Sequence, residues 1–395
     1  MSDPGKTAVV LVSLLDLGGN GGGPRRTRQL ARLFAAAGAR VHLIGYRSPQ
    51  ADAQAIAAPL AVDGVATTLL ARDAAGWPHR LRYFAGRPWS RAERTALLAA
   101  IRTALPPAGR GVLALYNQDL VAARALAALG REAGVAFVQQ YAEAHVAADF
   151  PLGALTGRWW NERQHLRSAP RFSTGSIVIS SWLRQAVTAA GGGETILLPS
   201  FVDVAEWAPR LEVAAPSRGS EPHLMYVGDG ARRDCVPVML DAVARARRSG
   251  LRFRATFVGC AGRAEGVTFL PRVSPAQLAT HYRSADAFVL LRTDDQSSRA
   301  CLPTRLGELL LSARPVVVSD FPDYNVYIRH RENGYLVKDP SVAGVAESMG
   351  AALARTPEND AIGRRGKATA LEHFDWRAHG GVAAAWLGRI AGRKT

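Results

Sequence analysis

Cysteine is scarce: three in 395 residues (Cys235, Cys260 and Cys301), none in a CxxC pair. That excludes a disulfide scaffold and a tetrathiolate zinc site and fits a reducing compartment. No apolar run approaches the ~18–20 residues a membrane helix needs, so no helical span is expected. Residues 8–15 are apolar after Lys6, but one basic residue and no small-x-small site before Asp16 favour a buried first strand over a secretory leader. Aromatics are only 7%, too few for the stacking platforms of a nucleic-acid binder, and no nucleic-acid partner is expected. Asp-x-Asp, the usual ligand pair of a metal-bridged diphosphate site, is missing, and so is HExxH. Gly5-Lys6-Thr7 mimics the end of a P-loop without its upstream glycine. No tyrosine has lysine four residues on, against a short-chain reductase.

What is present is an ordinary globular composition, 48% hydrophobic and 21% charged, in a length that predicts two domains or one large one. Acidic residues are in deficit: 49 Lys+Arg against 33 Asp+Glu give +16. Such a charge suits phosphate-rich ligands, nucleic acid or an anionic membrane. The arginines are scattered along an Ala/Arg/Gly-rich chain, so part of the excess is compositional bias.

The hydrophobic pattern alternates short β-branched runs with helical periods, the signature of a doubly wound parallel sheet. Residues 7–14 read as a strand, GGNGGG at 18–23 as a loop, 24–37 as a helix and 41–46 as a second strand. Strands at 111–116, 135–140, 176–180 and 195–199 follow, with a helix over 120–129. Residues 206–222, rich in Ala, Pro, Ser and Gly, break the composition and mark a domain boundary. The rhythm then restarts with strands at 223–227, 253–258, 267–270, 287–291 and 315–319, and helices at 236–249, 275–284 and 302–311. The tail from 343 is helical, interrupted near 356–359 and 374–376. The expected fold is α/β with two Rossmann-like halves, 1–207 and 208–375, the helix over 376–395 packing back on the first.

Two glycine- or arginine-bearing loops can hold an anion. GGNGGG follows a strand and opens a helix, where backbone N–H groups and the dipole favour negative charge. Its nearest dinucleotide frame puts Pro24 where the third glycine belongs, and Arg47 after the second strand suits a 2′-phosphate, which leaves an NADP oxidoreductase as an alternative. In 286–337 a strand ends at Arg292, and Pro303 then opens a helix bearing Thr304, Arg305 and Glu308. A basic helix N-terminus takes an anion, and a carboxylate one turn in accepts two hydrogen bonds from a vicinal diol. Together they match a nucleoside diphosphate; plain helix capping is the bland reading.

This stretch, with its PTRLGE helix followed by PVVVSD and ENGYLV, resembles the donor-binding end of GT-B glycosyltransferases of the family 4 type. The glycine loop, LLPSFVDVAEW at 197–207, MYVGDGARRDCVPVMLDAV and HYRSADAFVLL resemble further segments of that family in the same order. The resemblance implies two Rossmann-like domains facing a cleft, and a retaining, metal-independent transfer from a nucleoside-diphosphate sugar. It assigns Glu308 to the donor ribose. Arg233, assisted by Arg232, and the Pro303-Thr304-Arg305 turn would hold the diphosphate, and the amides of Gly21, Gly22 and Gly23 would close over the donor. Arg233 would also neutralise the leaving group; Glu143 or His145 would serve catalysis, and Arg25, Arg26 and Glu143 the acceptor. Neither metal nor other cofactor is implied.

Three positions depart from the family. Ala300 stands where many members carry a glutamate, Asp229 where an arginine is usual, and Ala142-Glu143 where a histidine-acid pair is usual. A catalytically inactive, transferase-like binding protein therefore remains an alternative. The acceptor is expected to be a glycan, a lipid-linked sugar or a small molecule. A cytoplasmic location is expected because sugar nucleotides are cytosolic, and a peripheral position on the inner face of the membrane is expected from Arg25, Arg26, Arg28, Arg32, Arg40 and Arg47. Arg82, Arg87, Arg91 and Arg94, around Tyr83, Phe84 and Trp89, would extend that surface.

Overall fold

The computed structural model describes residues 6–19, 21–47, 62, 64–72, 81–82, 85–87, 89–106, 110–212 and 221–393. The chain divides into two compact units, Met1–Pro199 with His379–Thr395, and Ser200–Ala378.

The first unit holds a seven-stranded parallel sheet of β1 (Ala8–Asp16), β2 (Arg40–Arg47), β3 (Ala66–Ala71), β4 (Gly111–Leu115), β5 (Ala136–Tyr141), β6 (Gly175–Val178) and β7 (Glu194–Leu197), in the order β3-β2-β1-β4-β5-β6-β7. β1 reads AVVLVSLLD and is buried over its first seven residues, as a strand covered by helices on both faces must be. The helix Gly22–Ala36 buries Leu30, Leu33 and Phe34. Leu120–Ala133 starts where the Asp119 carboxylate accepts from Ala122 N–H and stops at left-handed Gly134, the two ends that capping chemistry favours. The helix Gly380–Ala391 also belongs here. It comes so close to β6 that a Cβ on Gly175 would sit 2.7 Å from Ile390 Cδ1, while Arg389 and Arg393 each pair with Glu194 at 2.7 Å.

The second unit repeats the scheme with β8 (His223–Val227), β9 (Arg254–Val258), β10 (Val267–Leu270), β11 (Ala287–Leu290), β12 (Val316–Ser319) and β13 (Tyr335–Val337), parallel in the order β10-β9-β8-β11-β12-β13. Its strands are near-continuous apolar runs, and Tyr226, Phe257, Phe288 and Val317 are fully buried.

The division falls at Pro199/Ser200, not after Trp207. Ser200 Oγ donates to Leu302 O at 2.6 Å, Val202 N–H donates to Phe374 O at 2.9 Å, and the Trp207 ring stacks on Tyr282 at 5.5 Å. These contacts tie 200–207 to the second unit. Part of the expected linker is the helix Val204–Glu212 with Pro209 inside it; residues 213–220 lie outside the described set. The second unit runs on to Ala378, so the returning helix starts at Gly380, not 376. Three further elements carry weak patterns. β3 is a half-exposed edge strand, Arg91–Ala104 buries only Glu93, Leu97 and Ile101, and Gly157–Ser168 buries only His165. Among the described residues no helix is long and apolar enough to cross a membrane.

Candidate active site

Open parallel sheets take ligands beyond the carboxyl ends of the strands where the order reverses. In the second unit that place is β8/β11, and the two loops there are tied together. Arg232 Nη2 lies 2.8 Å from Asp295 Oδ2, Thr293 N–H donates to Arg233 O at 3.0 Å, and Arg292 Nη1 lies 2.5 Å from Asp234 Oδ1. Tyr226 O–H donates to the other Asp234 oxygen at 2.6 Å and accepts from Gly230 N–H at 3.2 Å. Gly230 holds φ at +69°, a backbone conformation open mainly to glycine, and a Cβ on Gly228 would lie 1.9 Å from the Tyr226 hydroxyl. Burial opposes the Asp295 charge, but hydrogen bonds from Arg232, Ser298 N–H and Thr293 hold its carboxyl below the ordinary value. Burial likewise opposes the Arg292 charge, and Tyr324 and Asp234 beside it outweigh that cost and raise its pKa.

The helix that the sequence marks is Thr304–Leu311, opened by Pro303 with no side-chain cap on its first amides. Leu306, Leu309 and Leu310 anchor it in the core. Glu308, 5% exposed, accepts from Tyr282 O–H at 3.2 Å, and Arg305 Nη1 stands 4.0 Å from the same oxygen. Tyr282 is clamped between Trp207 and an edge-on Phe288, which fixes its hydroxyl; burial first, then the Glu308 charge, push its pKa up. Burial opposes the Arg305 charge, and Tyr282, Glu308 and the more distant Tyr226 outweigh it. The structure therefore gathers Arg232, Arg233, Thr304, Arg305 and Glu308 in the second unit, with Tyr226 in electrostatic reach of both the Asp234 loop and Arg305.

In the first unit, Gly21 caps the helix Gly22–Ala36 through its backbone alone, and no acidic residue occupies the first turn. At Gly23 a Cβ would lie 2.5 Å from Leu15 Cδ1 and 3.5 Å from the Tyr116 hydroxyl, so a larger residue there would have to push the Leu15 side chain aside. Arg25 is half-buried. Arg26 is not an acceptor contact: it is 2% exposed, and its guanidinium donates to Pro199 O at 2.5 Å and Leu198 O at 2.8 Å. It closes off the carbonyl end of the segment after β7, a structural task. The expected membrane-facing arginines thin out similarly. Arg28 donates to Leu17 O, Arg82 is buried against Glu93 at 3.3 Å, and Trp89 is buried. Arg87, Arg91 and Arg94 are exposed; Tyr83 and Phe84 lie outside the described residues.

Beyond β5, Glu143 and His145 form a chain with two residues that the sequence left unmarked. His145 Nε2 lies 2.8 Å from Glu143 Oε2, its Nδ1 lies 2.6 Å from Glu162 Oε2, and Arg158 reaches the other Glu162 oxygen at 2.6 Å. Both ring nitrogens of His145 are thus within hydrogen-bond reach of carboxylates, so the protonated ring has no lone pair with which to act as a base. Burial works against the imidazolium, but the hydrogen bonds to Glu143 and Glu162 prevail and raise its pKa from 6.5 to about 11. Because the folded value is raised, the stabilisation is complete below the ordinary 6.5 and is lost as pH climbs through about 11. Imidazole NMR should show His145 protonated at neutral pH and throughout the mildly alkaline range. Glu162→Gln should bring its titration down towards neutrality; a wild-type titration near the ordinary value would remove the charge assignment. Glu162 follows His145 by seventeen residues on a helix without a clear apolar stripe, so no local signal pointed to it. Arg292 and Asp295, which brace the β8/β11 loops, were marked only as a strand end and a polar loop.

Residues 221–355 match the model of a family described as glycosyl transferases group 1. A phosphatidyl-myo-inositol mannosyltransferase of Mycobacterium leprae is 26% identical over 220 residues, covering 51% of this chain and 55% of that protein; the match spans about half of the relative's length. HepE of Anabaena, solved with UDP-glucose, superposes with a TM-score of 0.67 at 15% identity over 97% of this chain and 100% of that one. Sucrose-phosphate synthase of Thermosynechococcus elongatus gives 0.67 at 17% identity, covering 98% of each chain. At these identities the solved structures establish the architecture, two Rossmann-like parallel-sheet units. The chain has the GT-B fold, and its residues 221–355 are similar to the glycosyl transferases group 1 family.

Proposed function

We propose that this protein is a retaining, metal-independent glycosyltransferase that moves a sugar from a nucleoside-diphosphate donor to a glycan or lipid-linked acceptor, working in the cytoplasm at the inner face of the membrane. The observation that carries the reading is the arrangement at the β8/β11 switch point, where Arg232 and Arg233, the opening turn at Thr304-Arg305 and the buried carboxylate of Glu308 belong to one unit. In this reading Glu308 takes the ribose diol. Arg233, Arg305 and the uncapped amides after Pro303 meet the diphosphate, and Arg232 holds the loop through Asp295. Charge grows on the leaving diphosphate as the glycosidic bond breaks, and a fixed donor aimed at it contributes about 3–4 kcal/mol. Arg25 and Glu143 are assigned to the acceptor, with His145 as the cation that orients Glu143. HepE of Anabaena with UDP-glucose and an E. coli protein with UDP-2-fluoro glucose support a nucleotide-sugar donor, and the mycobacterial mannosyltransferase supports a lipid-linked acceptor. An NADP oxidoreductase would leave the second Rossmann-like unit without a role.

Thermal shifts with UDP, GDP, dTDP and NADP⁺ test the class. A ligand at a hundred times its Kd adds about 2.7 kcal/mol to folding stability, so one nucleoside diphosphate should raise Tm clearly and NADP⁺ should not. Stabilisation by NADP⁺ alone would overturn the proposal. With arginines and amides carrying the diphosphate charge, transfer should survive excess EDTA; strict dependence on Mg²⁺ or Mn²⁺ would defeat the metal-independent mechanism.

A further inference from the structure

Single exposed apolar side chains are normal on a folded surface, whereas several on one short stretch mark an interaction site. Between residues 152 and 160, Leu152 is 56% exposed, Leu155 85% and Trp160 48%. This is a braced turn. Gly153, at φ +53°, reverses the chain, and its N–H donates to Phe150 O at 2.9 Å. Leu155 N–H donates to Leu152 O at 3.1 Å, and the Trp160 indole N–H donates to Ala154 O at 2.7 Å. Thr156 is buried immediately behind. The two leucines are held outward by backbone and indole hydrogen bonds.

The exposed charge on the helix after the turn is basic, and Asp149, just before the turn, accepts from Val146 N–H. Glu162 is the single acid between residues 150 and 171. It is 11% exposed at its side chain and is already shared between His145 and Arg158. His165 is fully buried, and burial drives its pKa down to about 3, so it adds no charge. What faces water is Arg163 and Arg167, with Arg163 over the rings of Trp159 and Trp160 at 5.1 and 6.0 Å. Trp160, Arg163 and Arg167 are spaced by three and four residues and so share one helical face.

Leucines at a tip, tryptophan beside them and exposed arginines behind are what a protein needs to rest in the interface of an anionic bilayer. We propose that the turn at 152–155 and the Trp160–Arg163–Arg167 face form the lipid-docking surface of this protein. Leu152 and Leu155 enter the boundary between headgroups and acyl chains, Trp160 lies at headgroup level, and the two guanidinium groups meet lipid phosphates. This site differs from the arginine clusters first expected, of which Arg26 and Arg82 are buried. It is also next to the Glu143–His145 chain: the Phe150 ring packs edge-on against His145 at 5.5 Å. A leaflet bound here brings lipid-borne acceptors beside the carboxylate assigned to the acceptor. The proposal rests on the membrane part of the functional reading, not on the transfer reaction, and lipid binding is measured without turnover.

The test is co-sedimentation of the full chain with phosphatidylcholine vesicles, with and without phosphatidylglycerol, at low and high salt. Wild type should bind the anionic vesicles and lose most of that binding at high salt. The double variant Leu152→Ser/Leu155→Ser should bind on the order of tenfold more weakly at low salt, and Arg163→Glu/Arg167→Glu should abolish preference for anionic lipid. The altered side chains are exposed, so Tm and its increase with nucleoside diphosphate should match wild type and separate this result from a failed fold or a failed donor site. Wild type that ignores anionic vesicles, or a leucine variant that binds them as well as wild type, overturns the proposal. So does a leucine variant that converts a dimer into a monomer while lipid binding is unchanged, because the patch would then be a self-association surface.

Discussion

Asp234→Ala is expected to destabilise the second unit by about 3–5 kcal/mol, the usual cost of removing one partner from a buried ion pair. Asp234 is 3% exposed, and it neutralises Arg292, whose side chain is 13% exposed. The same carboxylate accepts the hydroxyl of Tyr226, which in turn accepts Gly230 N–H. Alanine strands a guanidinium and a phenol together and releases the loop that carries Arg232 and Arg233. Asp234→Asn keeps an acceptor for Tyr226 and should fall between wild type and alanine, separating the charge from the hydrogen bond. Urea unfolding gives the measurement. A loss under about 1 kcal/mol for alanine, typical of an exposed pair, would mean that Arg292 finds water or another acceptor.

Glu308→Gln should leave a folded protein that has lost most of its transfer activity. The amide oxygen can still accept from Tyr282, so the core around Trp207 and Phe288 keeps its partner. It cannot offer two charged acceptor sites to a ribose diol, and a hydrogen bond to a charged group contributes about 1.5–3 kcal/mol. That corresponds to roughly ten- to a hundredfold in nucleoside-diphosphate affinity for each bond lost. Glu308→Ala should combine this loss with destabilisation of about 1–3 kcal/mol, because the fully buried Tyr282 hydroxyl would have no acceptor. Calorimetric titration with the nucleoside diphosphate that stabilises wild type, beside a thermal melt, reads both effects. A folded Gln variant with wild-type affinity would remove Glu308 from the donor site.

The sequence made the two sheets legible because buried parallel strands are short apolar runs between helical periods. β1, β8 and β12 stand out for that reason, whereas the half-exposed edge strand β3 does not. The Thr304–Leu311 helix was legible twice, by its apolar spacing and by its resemblance to a family motif. Side-chain allegiance was not. Arg25 and Arg26 are neighbours in a basic run, yet one is half-buried and the other spends its charge on carbonyls 172 and 173 residues away. Trp89, set among arginines, reads as a surface aromatic and is buried. Glu206-Trp207-Ala208-Pro209 reads as a linker by composition, but the stacking of Trp207 on Tyr282 makes it part of the second unit. In each case the deciding partner is distant in sequence, and no local window contains it.

The helix Gly380–Ala391 has a consequence for biosynthesis. It is translated after every residue of the second unit, yet it completes the first by covering β6 at Gly175 and by supplying, just beyond its end and within it, the arginines that neutralise Glu194. On the ribosome, the second unit has all of its strands and can close while the earlier-made sheet still shows the bare flank around Gly175 to water and chaperones. N-terminal domains ordinarily finish folding first during synthesis; here the first unit cannot be complete until its last helix is made. Cutting the chain after Ala378 should therefore leave the later-made unit intact and turn the earlier-made one into the aggregation-prone partner.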